Sequence, residues 1–506
     1  MKPQQLSLTA AAAHDLFRHS ARHLRIVLPT LTAIAVALAS SVVLTLTGCA
    51  SSAGIAPSAA QISAPASVGL DASTTTPPLA ADWWHAFGDS TLDGLVERAL
   101  AGNPSLKVAQ ARLTRAEALV GGAKSADGLQ LTGALDATRQ RYSAKSIYPA
   151  PLGGSVREFA NGQVNASWEF DFFGRNHAAI EAAIGAQRAA QADVQAARVM
   201  LAANVARSYV QLGRLFEQRD VAVRALKQRD ETLSLIKQRV QGGLDTAVEQ
   251  RQGEGALPES RQQIEQLDEQ ITLTRHALAA LTTQAPSALD TLTVPLSSVK
   301  AVAVPAALPA DLLGRRADIT AARWRIEAAT SDMKSAKAQF YPNINLTAFV
   351  GLQSIVLDQF LKSGAEQYGA GPAIRLPIFD SGRLRANLRV KTADLDAAIE
   401  SYNGAVIDAV HDVADQLSSL SSVDRQQAEQ ARAQAAAESA YDLATQRYKA
   451  GLGTYLTVLN AESSVLTQRR QAADLKARAV DTQIALIRAL GGGYAGDTTT
   501  AVAGAQ

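Results

Sequence analysis

The chain is short of cysteine, of aromatic side chains and of excess charge of either sign. Its 506 residues include one cysteine, Cys49, so no disulfide can form within the chain. The 49 Lys and Arg residues nearly balance the 47 Asp and Glu residues, which leaves no basic face for nucleic acid. Aromatic residues make up only 5%, and Ala, Leu and Val carry the apolar content. Such a mix suits long, closely packed helices better than a large mixed core.

The chain also lacks the residue patterns of an enzyme. The 7 His residues are scattered singly and show no metal-ligand spacing. No Gly-x-Ser-x-Gly elbow or nucleophile–base pair is present. We therefore expect no catalytic residues, no metal site and no small-molecule cofactor.

The first fifty residues have the layout of an export signal. A basic segment, 18–25, precedes an uncharged, mostly apolar run, 26–47, which ends in Leu46-Thr47-Gly48-Cys49. This ending resembles a bacterial lipobox, which predicts a signal peptide at 1–48 and diacylglycerol and N-acyl lipid on Cys49. In such lipoproteins an Asp directly after the cysteine tends to retain the protein at the inner membrane. Here Ala50 and Ser51 follow instead, which suggests the outer membrane. The alternative is a retained transmembrane helix, because the run is long enough to span a bilayer.

Two pairs of long helical segments dominate the rest of the chain. Proline-free stretches run from about Gly174 to Gln241 and from about Gly382 to Ala450, with shorter partners at 246–283 and 454–490. Helices of this length indicate coiled coils, because nothing in an isolated globule could pack along them. The segment 246–283 contains Gly253, Gly255 and Pro258, which should kink or loosen it. Residues 49–81 read as a tether and residues 491–506 as a flexible tail.

Four shorter segments alternate between apolar and polar residues, as half-exposed strands do. They cover about 129–138, 164–172, 343–350 and 368–378. Their length and pattern suit a membrane barrel, and the alternative is one face of a soluble sandwich. Trp168, Phe170, Phe172 and Phe173 end the second segment and suit an aromatic belt at a membrane interface.

The two patterns recur together, and the helical segments repeat at a fixed spacing of 208 residues. Gly174-Arg175 matches Gly382-Arg383, and Gly243-Leu244-x-Thr246 matches Gly451-Leu452-x-Thr454. The chain is therefore a tandem duplication, with a first repeat at 82–300 and a second at 301–490. Each repeat supplies one strand hairpin and one helical hairpin.

Four strands cannot close a barrel in a membrane. An open edge in lipid would leave backbone groups unpaired at several kcal/mol each, and about eight strands are the least that close. Two chains would form a barrel filled by its own side chains. Three chains would supply twelve strands and six helical hairpins, which predicts a homotrimer with a through-passage and a transport function.

Several motifs then resemble those of the outer membrane factors, the TolC-like channels, and within them the NodT-type efflux lipoproteins. The resemblance covers about 82–490. Its segments are Asp82-Trp83-Trp84 with Asn103-Pro104, Leu308-Pro309-x-x-Leu312-Leu313-x-Arg315-Arg316-x-Asp318-Ile319, and Arg447-Tyr448-x-x-Gly451. Ala317 departs from the family's usual Pro.

The resemblance implies a trimeric twelve-stranded β-barrel continued by a periplasmic α-helical coiled-coil barrel. It implies an outer membrane location, a periplasmic adaptor, an inner-membrane efflux pump and a passive exit duct for small molecules. The adaptor would meet the hairpin tips, at Gly243, Leu244, Thr246, Tyr448, Gly451, Leu452 and Thr454. The periplasmic constriction would fall at Thr457 and Asn460, which are neutral where some members carry acidic residues.

Three alternatives remain open from the sequence. The same fold could serve as the exit channel of a type I protein secretion system, or the chain could be a structural coiled-coil lipoprotein that conducts nothing. Arg315 and Arg316 could be ordinary charges at a helix start, or they could brace neighbouring protomers or a helix against a strand. Asp311 reads as an N-cap.

Overall fold

The computed structural model describes residues 51–62, 79–145, 147–300, 302 and 312–494. Cys49 and the signal peptide lie outside these ranges, as do Leu308, Pro309 and Asp311. The chain divides into two compact units. The strand unit comprises Met1–Pro57, Ala123–Ala179 and Ser331–Asp394, and the helical unit comprises Ser58–Gly122, Ile180–Thr330 and Leu395–Gln506.

The strand unit contains one antiparallel sheet of four strands in the order β1-β2-β3-β4. The strands are β1 (Gln130–Arg141), β2 (Val156–Phe170), β3 (Asn343–Ser354) and β4 (Glu366–Arg375). Each strand pairs with the next along the chain, so β1 and β4 form the two edges. The four strands expected from the alternating pattern are all present.

Four long helices form two hairpins of matching length. Helix α3 (Arg175–Gln241) and helix α6 (Arg383–Lys449) have 67 residues each, and α4 (Ala247–Leu281) and α7 (Tyr455–Ala489) have 35 each. The spacing of 208 residues holds at the outer bounds of both hairpins, since 175 + 208 = 383 and 281 + 208 = 489. At about 1.5 Å per residue, α3 and α6 are each about 100 Å long.

The other helices are shorter. They are α1 (Ser90–Gly102), α2 (Pro104–Asp127) and α5 (Ala317–Ala338), with one helical turn at Leu312–Arg315 before α5. Within the described ranges, no helix is both long and apolar enough to cross a membrane.

Helix α4 is unbroken in the segment where the sequence predicts a kink or a loosening. It runs through Pro258 without a break. Arg229 of α3 donates hydrogen bonds to the Ala256 carbonyl at 3.2 Å and to Ser260 Oγ at 2.9 Å, which supports the segment around the proline. A Cβ atom at Gly253 would lie 3.0 Å from Leu233 Cδ1, so glycine permits the two helices to approach closely. Contacts with α3 therefore support the helix around the proline.

A buried carboxylate organises the core of the helical unit near Trp83, Trp84 and Phe87. Asp89 caps α1 by accepting hydrogen bonds from the backbone of Thr91 and Leu92. Its other oxygen accepts from the Tyr209 hydroxyl at 2.9 Å and the Ser298 hydroxyl at 2.6 Å. One side chain thus connects α1, α3 and the segment that follows α4.

The tail begins in a closely packed turn, although the sequence suggested flexibility from Gly491 onward. Gly491, Gly492 and Gly493 all have positive φ. A Cβ atom at Gly491 would lie 1.9 Å from the Arg315 carbonyl oxygen, and one at Gly493 would lie 2.1 Å from that of Ala80. Only glycine fits this turn. Residues 495–506 lie outside the described ranges.

Candidate channel wall and helical tips

The four-stranded sheet has one apolar and one polar face. Directly opposed residues of an antiparallel pair share a face. On one face Ala166 lies opposite Ala348 and Trp168 opposite Leu346. On the other face Asn161 lies opposite Gln353, and the Gln367 amide donates to Asn161 Oδ1 at 2.7 Å. The apolar face carries large exposed side chains, among them Leu131, Leu135, Val164, Val350 and Tyr368. One side of the sheet therefore suits lipid, and the other suits water and polar solutes.

Aromatic side chains cluster where β2 ends and β3 begins. The rings of Trp168 and Phe170 lie 4.6 Å apart, and those of Phe170 and Phe172 lie 5.9 Å apart. Phe173 stacks on Tyr341 at 4.8 Å. Trp168, Phe172, Phe173 and Tyr341 are exposed in the single chain. Exposed rings at strand ends are typical of a membrane–water interface.

The two helical hairpins end in the same tight turn. Gly243 and Gly451 have positive φ, and the next residues, Leu244 and Leu452, donate backbone hydrogen bonds of 2.8 Å to the carbonyls of Arg239 and Arg447. This is the αL closure that glycine allows at a helix end. The leucine side chains are 68% and 69% exposed. Each tip therefore presents an apolar side chain to its surroundings.

The next helix of each hairpin starts at a threonine, but the two starts differ. Thr246 caps α4 in a capping box, in which its backbone N–H donates to Glu249 Oε2 at 2.9 Å. Thr454 precedes α7 without a side-chain cap, and its hydroxyl lies 3.1 Å from that of Thr457. Thr457 and Asn460, the expected constriction residues, are exposed in the single chain.

A polar cluster of Arg239, Asp245 and Tyr448, which we call the tip cluster, joins the two hairpins. The Arg239 guanidinium makes a bidentate pair with Asp245 at 2.9 and 3.2 Å. It also donates to the Tyr448 carbonyl at 2.9 Å and lies over the Tyr448 ring at 4.6 Å. The Tyr448 hydroxyl donates to Asp245. Each of the three groups thus contacts the other two.

The charges of the tip cluster are fixed by these contacts. Burial alone would raise the pKa of Asp245, but the hydrogen bonds from Arg239 and Tyr448 outweigh it and hold that pKa below its ordinary value. Burial and the neighbouring Asp245 carboxylate raise the pKa of Tyr448. Asp245 is therefore ionised and Tyr448 protonated at neutral pH, as the hydrogen bonds require.

Sequence reasoning missed the tip cluster, although a signal was present. At the spacing of 208, Asp245 matches Gly453 and Tyr448 matches Val240. Two of the three residues that join the hairpins are thus positions where the two repeats differ. Tyr448, expected among the adaptor-contacting residues, is fully buried, so its ring supports the tip from within.

Arg316 joins three helices within one chain. Its guanidinium pairs with Asp318 at 2.7 Å, donates to the Ala489 carbonyl at the end of α7 at 3.3 Å, and lies 3.5 Å from Asp412 of α6. Arg488 lies 3.6 Å from the same Asp412 carboxylate. A cation at the last carbonyls of α7 is favoured by the helix dipole. Arg316 thus braces helices of the second repeat, and it is buried, whereas one sequence reading placed it on a solvated face.

A segment near the amino terminus is held by helix α6. Asp396 accepts hydrogen bonds from the backbone N–H groups of Ser58 and Ala59 at 2.9 and 3.0 Å, and from the Ser58 hydroxyl. Asn403 accepts from the Ile62 N–H at 2.9 Å and donates to the Ala60 carbonyl at 3.0 Å. We call residues 58–62 the strap. Two side chains of one helix thus bind four backbone groups of the strap.

No metal centre is apparent in the part of the chain that the structure describes. No group of three or more His, Cys, Asp or Glu side chains there could hold a metal ion. The described residues form a two-faced sheet, paired helical hairpins and joined hairpin tips. Together they define an outer membrane channel protein.

Comparison with known proteins places the chain among such channels. The family described as "Outer membrane efflux protein" matches residues 95–284 and 308–492, most of the chain. The chain belongs to this family. The structure is similar to the outer membrane protein VceC of Vibrio cholerae, with a TM-score of 0.78 and 36% identity over 82% of this chain and 99% of that one. It is also similar to the outer-membrane channel OprN, with a TM-score of 0.76 and 30% identity over 87% of this chain and 97% of that one.

Curated relatives agree with this assignment. The chain is 37% identical to the fusaric acid resistance protein FusA of Burkholderia cepacia, over 70% of this chain and 68% of FusA. It is 34% identical to the multidrug resistance outer membrane protein MdtQ of Escherichia coli, over 81% of this chain and 88% of MdtQ. It is 32% identical to the pyoverdine export outer membrane protein OpmQ of Pseudomonas aeruginosa, over 82% and 88%. The predicted family, fold class, efflux role and outer membrane location are therefore confirmed.

Proposed function

We propose that three copies of this chain form one passive exit duct of a tripartite efflux system. The observation that carries the proposal is the open sheet, which has an apolar face, a polar face and two unpaired edges, at β1 and β4. In lipid such edges are untenable, and three sheets of four strands close with room for a lumen. The polar faces would line the passage. The chain would move cargo without catalysis, since delivery is the task of the pump.

The hairpin tips would receive a periplasmic adaptor that connects the duct to an inner-membrane pump. Leu244 and Leu452 support this assignment because they are exposed apolar side chains at matching turns. Gly243, Thr246, Gly451 and Thr454 would shape the same surface, and Tyr448 would support it from within. Thr457 and Asn460 carry no charge, so the constriction would not select strongly for cations.

Small organic molecules are the proposed cargo. The relatives FusA, MdtQ and OpmQ are named for fusaric acid resistance, multidrug resistance and pyoverdine export. The polar face of the sheet is rich in amides and hydroxyls, which offers hydrogen bonds without a dominant charge. Such a wall would pass chemically varied solutes.

Lipid on Cys49 would anchor the chain to the outer membrane. The support is the lone cysteine that ends Leu46-Thr47-Gly48. A Cys49→Ala variant should take up no labelled palmitate and should accumulate as an unprocessed precursor. Normal processing of that variant would contradict the lipid anchor but would leave the duct untouched.

Conductance in planar bilayers tests the duct itself. The purified protein should produce uniform, stepwise current increments, because a water-filled passage of fixed width carries ions. The same preparation after heat denaturation serves as the control. A folded protein that inserts into the bilayer but carries no current would instead indicate a structural coiled-coil lipoprotein.

A further inference from the structure

The two open edges of the sheet differ in sequence, and the internal duplication relates them. Strand β1 corresponds to β3, because Leu131-Thr132 matches Leu346-Thr347 at a spacing of 346 − 131 = 215. Within the chain Leu131 lies opposite Ala166, and Leu346 lies opposite Pro372. Ala166 of β2 therefore corresponds to Pro372 of β4, at a spacing of 372 − 166 = 206. The second hairpin repeats the first in its pairing.

The junction between the two hairpins is already present inside the chain. There β2 pairs with β3, and Ala166 lies opposite Ala348. If a second copy continues the sheet by the same rule, β4 must pair with that copy's β1. Pro372 corresponds to Ala166, and Gly133 corresponds to Ala348, since 348 − 215 = 133. The rule thus sets Pro372 opposite Gly133 of the neighbouring copy.

We propose that β4 of one protomer pairs antiparallel with β1 of the next, with Pro372 opposite Gly133, Ala370 opposite Leu135 and Tyr368 opposite Ala137. This inference rests on the proposed trimer and adds its register. All six residues lie on the apolar face of the sheet, as the alternation along each strand requires. In each pair a larger side chain meets a smaller one, which favours close packing.

Strand ends and charges agree with this register. It sets Arg375, the last residue of β4, opposite Gln130, the first residue of β1, so the whole of β4 is paired and the end of β4 lies level with the start of β1. At the other end it sets Glu366 opposite Arg139. Within the chain Arg139 already lies 3.8 Å from Glu158 on β2. In the proposed register this positive side chain would lie between two negative ones, Glu158 and Glu366.

Disulfide scanning across the junction tests the register. Ala370→Cys is combined in turn with Gly133→Cys, Leu135→Cys and Ala137→Cys, all on one face of β1. Opposed Cβ atoms lie about 5 Å apart and diagonal ones about 7 Å, so the Leu135→Cys combination should cross-link at least about tenfold faster than the other two. Tyr368→Cys with Ala137→Cys provides an independent second pair if one variant fails to fold.

The cross-links must join different chains. Within one chain β1 and β4 are separated by three strand spacings, about 14 Å, which exceeds the reach of a disulfide. Covalent trimers on a non-reducing gel are therefore the expected product. If the Gly133→Cys or the Ala137→Cys combination cross-links fastest, the register is overturned and the trimer stands. The same holds if the protein is trimeric but none of the combinations cross-links. A protein that is not trimeric in mild detergent would instead refute the assembly itself.

Discussion

The tip cluster should stabilise the hairpin tips far more than its counterpart in the other repeat. Arg239 and Arg447 occupy matching positions, since 239 + 208 = 447. Arg239 binds Asp245 and Tyr448, whereas the Arg447 guanidinium donates one hydrogen bond of 3.2 Å, to the Leu452 carbonyl. Changing each arginine to glutamine therefore compares a cluster with a single surface contact on the same scaffold.

The loss of stability expected for Arg239→Gln follows from the groups that the substitution leaves without a partner. The side chains of Arg239 and Asp245 are only 11% and 10% exposed, so the change leaves a nearly buried carboxylate with one remaining donor, Tyr448. Breaking a fully buried pair costs about 3–5 kcal/mol, and solvent beside the tip lowers this to about 2–3 kcal/mol. Arg447→Gln should cost about 0.5 kcal/mol or less, as surface changes do.

Hydrogen exchange of the tip amides measures the difference. A loss of about 2–3 kcal/mol should speed exchange at 240–246 and 449–455 by roughly 30- to 150-fold in Arg239→Gln, and by about twofold in Arg447→Gln. Amides of α1 serve as an internal reference and should not change in either variant. Equal effects of the two substitutions would refute the cluster as the source of tip stability.

Three further changes probe the helical unit. Burial would raise the pKa of Asp89, but hydrogen bonds from Ser298, Tyr209 and the backbone hold it below its ordinary value. The stabilisation that the ionised Asp89 carboxylate contributes is thus present above its ordinary pKa, and it is lost as the pH falls through its lower pKa in the folded state. Acid titration of thermal stability should therefore show a loss below about pH 4, and Asp89→Asn should remove that loss. Ala317→Pro, at the first position of α5, should raise stability by about 0.4–1 kcal/mol, and a lower melting temperature would contradict this. Asp396→Ala should speed amide exchange in the strap about tenfold, whereas Asp394→Ala, which does not contact the strap, should leave it unchanged.

The sequence predicts the fold well because two periodicities dominate it. Unbroken helical stretches and alternating strands are local patterns, and the repeated Gly-Leu-x-Thr turns locate the hairpin ends within a few residues. The spacing of 208 then tests one half of the chain against the other. Helix α4 shows the limit of local reasoning, because it continues without a break through Gly253 and Pro258 while it packs against α3.

The contacts that define the site are long-range and were not predictable in the same way. Asp245 and Tyr448 are 203 residues apart, and Arg316 reaches a carbonyl 173 residues further along the chain. Such contacts depend on how the helices are rotated against one another, which periodicity does not specify. Departures from the repeat are the available signal, since Asp245 and Tyr448 are both positions where the halves differ.

The mass of the native particle is a direct test of the trimeric duct. Three chains are needed to close one duct, because one chain leaves two strand edges open and two chains leave no lumen. Native mass spectrometry of the protein released from mild detergent should show one dominant species of three chains. A dominant monomer or dimer in the preparation that conducts ions in planar bilayers would contradict the account, since the passage would then need walls that the four strands of each chain cannot supply.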